Sequence, residues 1–389
     1  MREVNGERFD RIKDLAFSLS PEEAGSWDIA QEMPRETVAR LGASGLLGCF
    51  IPKEMGGAGW DALSFGMLCS ELGGVSLSLV SIVTVHSMFL EALRAWGTAG
   101  QKDEWLARMI SGEAMGAFAL TEPDRGSDAV HIQTEFVEDG AEIVITGRKK
   151  WISYAQRADV FLVFGQLGGS RPSACIVPRS TPGLEVRPMR NLLGFRAAML
   201  GEITFDHCRV PLSSIVGRPG NGFTHVANCS LDLGRFAVAF GCLGCMEACT
   251  SDSVSFAKKR MQFDKPLMSH QLIQEMISDM ITSVKAARQL CRHAAGLRDA
   301  LDPSSIVETT VAKYFTSRAA VEVAGKAVQI HGAIGCSADE GRIERFYRDA
   351  RIGEIVEGSN QMQQLMIARS GSVEFLRARA QRNQAREGK

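Results

Sequence analysis

The chain has 389 residues, of which 45% are hydrophobic and 23% charged, and its formal net charge is −1. That length exceeds one ordinary core and that composition is typical of a globular protein in water, so two or three domains are expected. The near-neutral balance removes bulk electrostatic attraction as a basis for binding nucleic acid.

Residues 1–115 read as an N-terminal helical domain. Amphipathic spacing predicts helices over Phe9 to Leu19, Arg35 to Leu47, Leu63 to Leu72 and Lys102 to Ile110. Ile51-Pro52-Lys53-Glu54-Met55-Gly56-Gly57-Ala58-Gly59 breaks helix and is expected to be a turn-rich loop. Val75 to Leu90 is apolar, but serines and His86 interrupt it and it falls short of a bilayer span. It is expected to be a buried helix, with no membrane partner.

Residues 116–215 change pattern. Glu142 to Gly147 alternates, and Asp159 to Gln166, Ser173 to Val177 and Glu202 to Phe205 are short, turn-bounded runs. They predict a small β-barrel or sandwich domain rather than a parallel sheet. No G-x-G-x-x-G follows a strand, which disfavours a Rossmann fold.

After Gly217-Arg218-Pro219-Gly220-Asn221-Gly222 the remainder, residues 216–389, returns to helical periodicity. Long stretches run over Phe223 to Arg260, Gln271 to Leu301 and Ser304 to Gly332, with a further helix after Ser359. Short joints between long helices predict a C-terminal four-helix bundle. The tail Arg377, Arg379, Arg382, Arg386 and Lys389 is expected to be a solvated helix end. The fold class is thus mostly α with a central β module.

The ten cysteines form no disulfide framework and no signal-peptide pattern precedes the first helix, so a reducing cytoplasm is expected. Cys242, Cys245 and Cys249 share one helix face. Without a second Cys pair or a nearby His they are expected to be packing residues, and no metal site is expected.

The most informative stretch runs from Arg348 to Gln361, where Glu357 precedes Gly358 in the apolar Ile-Val context of Ile355-Val356. A carboxylate on apolar walls is costly to ionise, so its pKa should rise toward the working pH of a base. Gly358 allows a flat partner to approach the backbone closely. The plainer alternative is a surface Glu at a helix start before Gly-Ser-Asn.

The order helices, β module, helical bundle, together with several motifs, resembles the acyl-CoA dehydrogenase family of flavoproteins over roughly Leu15 to Arg369. Ile51-Pro52 with Gly56, Gly57 and Gly59 resembles the family's I-P-x-x-x-G-G-x-G loop. Met115 to Asp128 resembles its F-A-L-T-E-P-G-A-G-S-D segment, with Asp124-Arg125 in place of Gly-Ala. Lys150-Trp151-Ile152-Ser153 matches K-x-W-I-[ST]. Arg260 to Leu267 with His270-Gln271 resembles R-x-Q-F-G-K-P-L…H-Q, with Asp264 in place of Gly. Val328 to Gly335 resembles V-Q-I-x-G-G-x-G, and Leu231-Asp232-Leu233-Gly234-Arg235 resembles L-D-x-G-R.

The resemblance implies an FAD-dependent α,β-dehydrogenation of an acyl thioester, with Glu357 as the α-proton base and flavin N5 as hydride acceptor. It also implies that the Glu357 N–H donates to the thioester carbonyl. Implied flavin contacts are Phe118, Leu120, Thr121, Gly126, Ser127, Trp151, Ser153, Ser359 and Gln361. Arg260, Phe263, Gln271, Gln329, Gly332 and Gly335 would also bind the cofactor, toward its adenine and pyrophosphate end, with Arg260 and the 329–335 strip coming from a neighbouring subunit in a dimer or tetramer. Ser127, Asp232, Arg235, Val356 and Gly358 would line the substrate arm. Taken singly, Trp151 reads as core, Arg260 as a charged helix face and Asp232/Arg235 as a surface ion pair.

Gly194 to Glu202 departs from the commoner family pattern and is similar to that of members from polyketide clusters that make hydroxymalonyl or methoxymalonyl carrier-protein units. The resemblance thus implies acyl-CoA or an acyl-carrier-protein as substrate partner, and an electron-transfer flavoprotein or oxygen as electron acceptor. An oxygen-using oxidase or monooxygenase on this scaffold, and a helical interaction protein without chemistry, are the competing readings.

Overall fold

The computed structural model describes residues 18–387 together with Gly6, Arg8, Asp10, Ile12 and Asp14. The helix expected over Phe9 to Leu19 therefore lies largely outside the described residues, as do the side chains of the basic tail.

Five helices open the described chain: α1 (Pro21–Ala30), α2 (Arg35–Ala43), α3 (Ala62–Val75), α4 (Leu77–Trp96) and α5 (Ala99–Ile110). α1 was not expected, yet Ser20 and Glu23 form a reciprocal capping box and Pro21 fills the first turn. A Thr98/Gln101 box starts α5 in the same way. α2 stops at Ala43, short of the expected Leu47, because Gly45 turns the chain at φ 70°. α4 is buried over most of its length. It and the later helix Gly222–Lys259 are long and apolar enough to cross a bilayer, and both are mostly buried inside the fold.

The middle module is one mixed sheet of β1 (Gly116–Ala119), β2 (Glu135–Asp139), β3 (Glu142–Ile152), β4 (Val160–Leu167), β5 (Arg171–Pro178), β6 (Leu184–Pro188), β7 (Gly201–Pro211) and β8 (Ile215–Val216). The strands follow the order β6-β7-β3-β2-β4-β5-β8, with β1 paired to β4. The path ends at β6 and β8, and among the described residues no ladder joins them, so where a barrel or sandwich was expected the module is one open mixed sheet. β1 and β2 both run parallel to β4, and every other pairing in this sheet is antiparallel. β1, β2, β6 and β8 were not foreseen: they are short, and β2 and β6 are largely exposed.

The chain then enters a π-helical turn, Gly222–Ala227, that runs into α6 (Asn228–Lys259). A two-strand hairpin, β9 (Met261–Gln262) and β10 (Lys265–Pro266), leads to α7 (Gln271–Asp299), α8 (Ser305–His331), α9 (Ile343–Gly353) and α10 (Asn360–Glu387). α6 is the spine, packed on α3, α4, α7 and α8. Glycines let α3 and α6 touch at backbone distance: a Cβ on Gly73 would lie 2.2 Å from the Gly241 carbonyl, and one on Gly244 1.8 Å from that of Ser70. Phe263 and Asp264, the two residues between β9 and β10, have φ of 52° and 59°. That is the left-handed pair a two-residue hairpin requires, and aspartate tolerates it, which explains how Asp264 stands where glycine is usual.

Candidate active site

Glu357 lies between α9 and α10 with φ 55°, followed by Gly358 at 87°. A non-glycine residue in this region is strained and persists only where its surroundings fix it. They do so through its carbonyls. Arg235 Nε donates to the Glu357 carbonyl at 3.2 Å, and Gln363 Nε2 to those of Glu357 and Gly358 at 3.1 and 2.8 Å. Lys313 Nζ donates to the Gly358 carbonyl at 3.0 Å and to Asn360 Oδ1 at 3.1 Å. Gln363 and Lys313 were not singled out in the sequence, where nothing sets them apart from ordinary bundle residues, and Asn360 was given no role although it falls in the stretch around Glu357.

The Glu357 carboxylate points back onto α6. A Cβ on Gly234 would meet Glu357 Oε2 at 2.6 Å and Met88 Sδ at 2.8 Å, so only glycine leaves this seat open. Oε2 is buried with no hydrogen-bond partner. Burial raises the carboxyl from its ordinary 4.5 to about 7, although Arg235 and Lys313 pull the other way. Burial likewise lowers the Lys313 ammonium to about 8.

Glu357, Val356 and Ser153 line one cavity with Phe195 and residues of α4 and α6. It encloses about 30 Å³ within a hollow of about 350 Å³ that includes its open mouth. Ser153 Oγ and Ser81 Oγ share a hydrogen bond of 2.9 Å. Phe195, itself at φ 53°, is fixed by its N–H, which donates to Asp349 Oδ1 at 2.7 Å. Gly194 lies against the backbone of Arg348 and Asp349, where a Cβ would come within 2.6 Å of a carbonyl oxygen. The base and one wall of its cavity thus share α9 as an anchor.

The segment expected at a flavin edge is braced from beneath. Lys149, fully buried, donates to Glu122 Oε1 at 2.7 Å and to the Leu120 carbonyl at 3.0 Å. Glu122 also accepts from the Thr134 N–H at 2.8 Å and hydroxyl at 2.6 Å. Burial lowers the Lys149 ammonium to about 8. The Phe118 ring packs on Phe164 at 4.8 Å and Leu120 is buried, so any ligand contact there falls to the backbone. Thr121 is half-buried, its carbonyl accepting from the Lys150 N–H at 2.9 Å, and Gly126 and Ser127 are exposed beyond it. Asp124 is exposed, and Arg125 Nε reaches the His131 carbonyl at 3.2 Å, so this pair closes a surface turn. Trp151 is 50% exposed at φ 63°, not core, with the Lys150 ammonium 5.3 Å from its ring centroid.

Asp232 and Arg235 do not form the ion pair that their spacing allows. Asp232 pairs with Arg298 at 2.5 Å, while Arg235 holds the Glu357 backbone. Ser359 is half-buried and Gln361 exposed at the start of α10. Arg260, Phe263, Gln271, Gln329 and Gly332 are exposed and Gly335 buried, all at the opposite end of the bundle. There Phe256 stacks on His331 at 4.3 Å, tying the ends of α6 and α8 together. Along α6, Arg260 stands roughly 37 Å from Arg235 at 1.5 Å rise per residue. One chain therefore does not bring these residues to Glu357.

Three family models match the chain in succession: acyl-CoA dehydrogenase N-terminal domain over residues 10–113, middle domain over 117–208 and C-terminal domain over 220–372. The chain belongs to the acyl-CoA dehydrogenase family. It is 36% identical over 366 residues to the probable acyl-CoA dehydrogenase YngJ of Bacillus subtilis, covering 92% of this chain and 96% of that one. Among solved structures it is similar to FkbI, described as acting in biosynthesis of the methoxymalonyl extender unit of the polyketide Fk520 (TM-score 0.86, 32% identity, 93% and 99% of the two chains). It is also similar to a glutaryl-CoA dehydrogenase of Mycobacterium smegmatis in complex with FADH2 (TM-score 0.88, 28% identity, 95% of each chain). These family members fit the site: apolar walls, hydroxyls at one side and an unpartnered carboxylate suit a flat, amphipathic ring and a thioester beside it.

Proposed function

We propose that this chain is an FAD-dependent acyl-thioester dehydrogenase in which Glu357 removes the α proton. The carrying observation is the seat of Glu357: Oε2 is buried and unpartnered beside a cavity, against a glycine that leaves it room. A base with a pKa near 7 is poised to accept a proton at neutral pH and to give it up again. Bound FAD supplies the acceptor for the hydride that leaves the β carbon. Ser153, on the cavity wall beside the exposed face of Trp151, and the backbone of Leu120 and Thr121 are the groups that would hold its ring. Arg235, Lys313 and Gln363 keep the base still by holding its backbone, so little reorganisation precedes proton transfer.

The exposed cluster at the far end of the bundle supports a homo-oligomer. Arg260, Gln271, Gln329, Gly332 and Gly335 would serve a cofactor whose ring lies in another copy, and the exposed Met261, Phe263 and Leu272 would be covered there. Ten free thiols support a reducing, cytoplasmic setting.

Similarity to FkbI supports a second reading of the substrate: a small unit carried on a carrier protein rather than on CoA. Anaerobic titration of the flavin-loaded protein with acyl-CoA and acyl-carrier-protein thioesters, followed by flavin absorbance, tests both. Bleaching by a thioester and its loss in Glu357→Gln are expected. Bleaching by carrier-bound esters alone would select the second reading. Peroxide release during aerobic turnover would point to oxygen as acceptor, and its absence to an electron-transfer flavoprotein.

A further inference from the structure

Lys313, on α8, is fully buried, a costly place for an ammonium. Its hydrogen bonds do not explain it, because each acceptor has another donor. The Gly358 carbonyl that receives Lys313 Nζ at 3.0 Å also accepts from Gln363 Nε2 at 2.8 Å. Asn360 Oδ1, 3.1 Å from Nζ, also accepts from the Ser317 hydroxyl at 3.0 Å. A neutral side chain in place of Lys313 would orphan neither oxygen, so what Lys313 alone supplies is charge. Burial brings its ammonium down to about 8, which leaves it mostly protonated at neutral pH. Among the described residues, Glu357 is the one carboxylate that acts on it. The Cys242 thiol is also close, but burial pushes it up to about 12 and it is neutral there.

The other neighbours of the Glu357 side chain leave this role open. α4 presents Ser81 and Met88, and the β module Ser153 and Phe195, none of them charged. α10 adds the neutral Gln363 and Asn360 to the turn, and Glu354, at the end of α9, pairs with Arg351. α6 brings Arg235, whose pull on Glu357 is partly screened because the guanidinium is only half-buried. We propose that Lys313 is a positioning residue whose buried positive charge holds the Glu357 carboxyl in its ionised, proton-accepting form. The inference rests on the dehydrogenase reading for its purpose, though not for its electrostatics. A fixed cation bonded to the turn offsets the burial of the carboxylate without placing a donor on Oε2, the oxygen left free to take a proton.

The test titrates the Glu357 carboxyl of the flavin-loaded protein by infrared difference spectroscopy, with Glu357→Gln identifying its band. Lys313→Met and Lys313→Gln should each move the midpoint up by about one pH unit, and Lys313→Arg, which keeps the charge, should restore most of the difference. Lys313→Gln can still donate to both oxygens, so it separates charge from hydrogen bonding. For flavin bleaching by a thioester, kcat/KM of the Met and Gln variants should be roughly fivefold lower at pH 7 and level with the parent above about pH 9. A residue that only held the turn would lower the rate equally at every pH and leave the midpoint in place. An unmoved midpoint in Lys313→Gln, or a rate loss that persists above about pH 9, would overturn the proposal. If no thioester bleaches the flavin, the dehydrogenase reading falls, and the infrared midpoint still decides this one.

Discussion

Glu357 carries two penalties, a left-handed backbone and a buried carboxylate, and both have measurable consequences. Its ionisation, centred near pH 7, should appear as a rise of kcat/KM with pH through that value. The stability effect has the opposite sign. Between pH 4.5 and about 7 the folded chain keeps a proton that the unfolded chain has lost. This contribution is therefore full below 4.5 and is lost as pH rises through 7, by roughly 3 kcal/mol. Glu357→Gln should accordingly melt higher than the parent above pH 7, by an amount that shrinks toward pH 4.5, as scanning calorimetry would show. Gly234→Ala isolates the seat itself. Helix propensity favours alanine by about 1 kcal/mol, offsetting part of the overlap, so the fold should persist. The displaced carboxylate should lose about a hundredfold in the rate of flavin bleaching. The sequence made Glu357 legible through its own neighbours, but Gly234 appears there only as one letter of a helix motif. That it makes room for a carboxylate from another helix is a tertiary fact.

At the scale of elements, the site depends on supports that chemistry does not touch. The Lys149–Glu122 pair fixes the end of β1 to β3 inside the sheet. Lys149→Met leaves Glu122 buried with its main charge partner gone, and should cost roughly 3–5 kcal/mol in denaturant unfolding. The Asp349–Phe195 bond fixes the cavity wall contributed by the β module. Asp349→Ala should weaken thioester binding and raise KM more than it lowers kcat, because the side chain reaches no reacting atom. The long helices were legible from their length and the turn residues that bound them, and so were the central strands. β2 and β6 were not, since polar, exposed edges carry no alternation, and α9 was passed over because its marked apolar stripe sits beside the motif that drew attention. The Asp232–Arg235 spacing allowed an ion pair, and tertiary partners won: Arg298 took one and the Glu357 carbonyl the other.

For the whole molecule, two sets of ligand-ready residues stand at opposite ends of one bundle. If, as proposed, a cofactor is shared between copies, flavin content would be coupled to assembly. Phe263, 87% exposed at the tip of its hairpin, is the point at which to test this. Phe263→Asp should yield a smaller species by light scattering together with a fall in bound flavin per chain, whereas a chain that holds its cofactor alone would lose neither. The three-part order of helices, sheet and helices was readable from periodicity. The open edge of the sheet was not, because closure depends on which strands meet.

The contact of Gly194 with the turn of α9 that precedes the base has a consequence for how a substrate gets in. With no gap between that loop and the helix, sheet and bundle cannot part on this side without breaking the Phe195 bond. On the dehydrogenase reading, a thioester would then enter by the cavity's open mouth and not between Gly194 and α9.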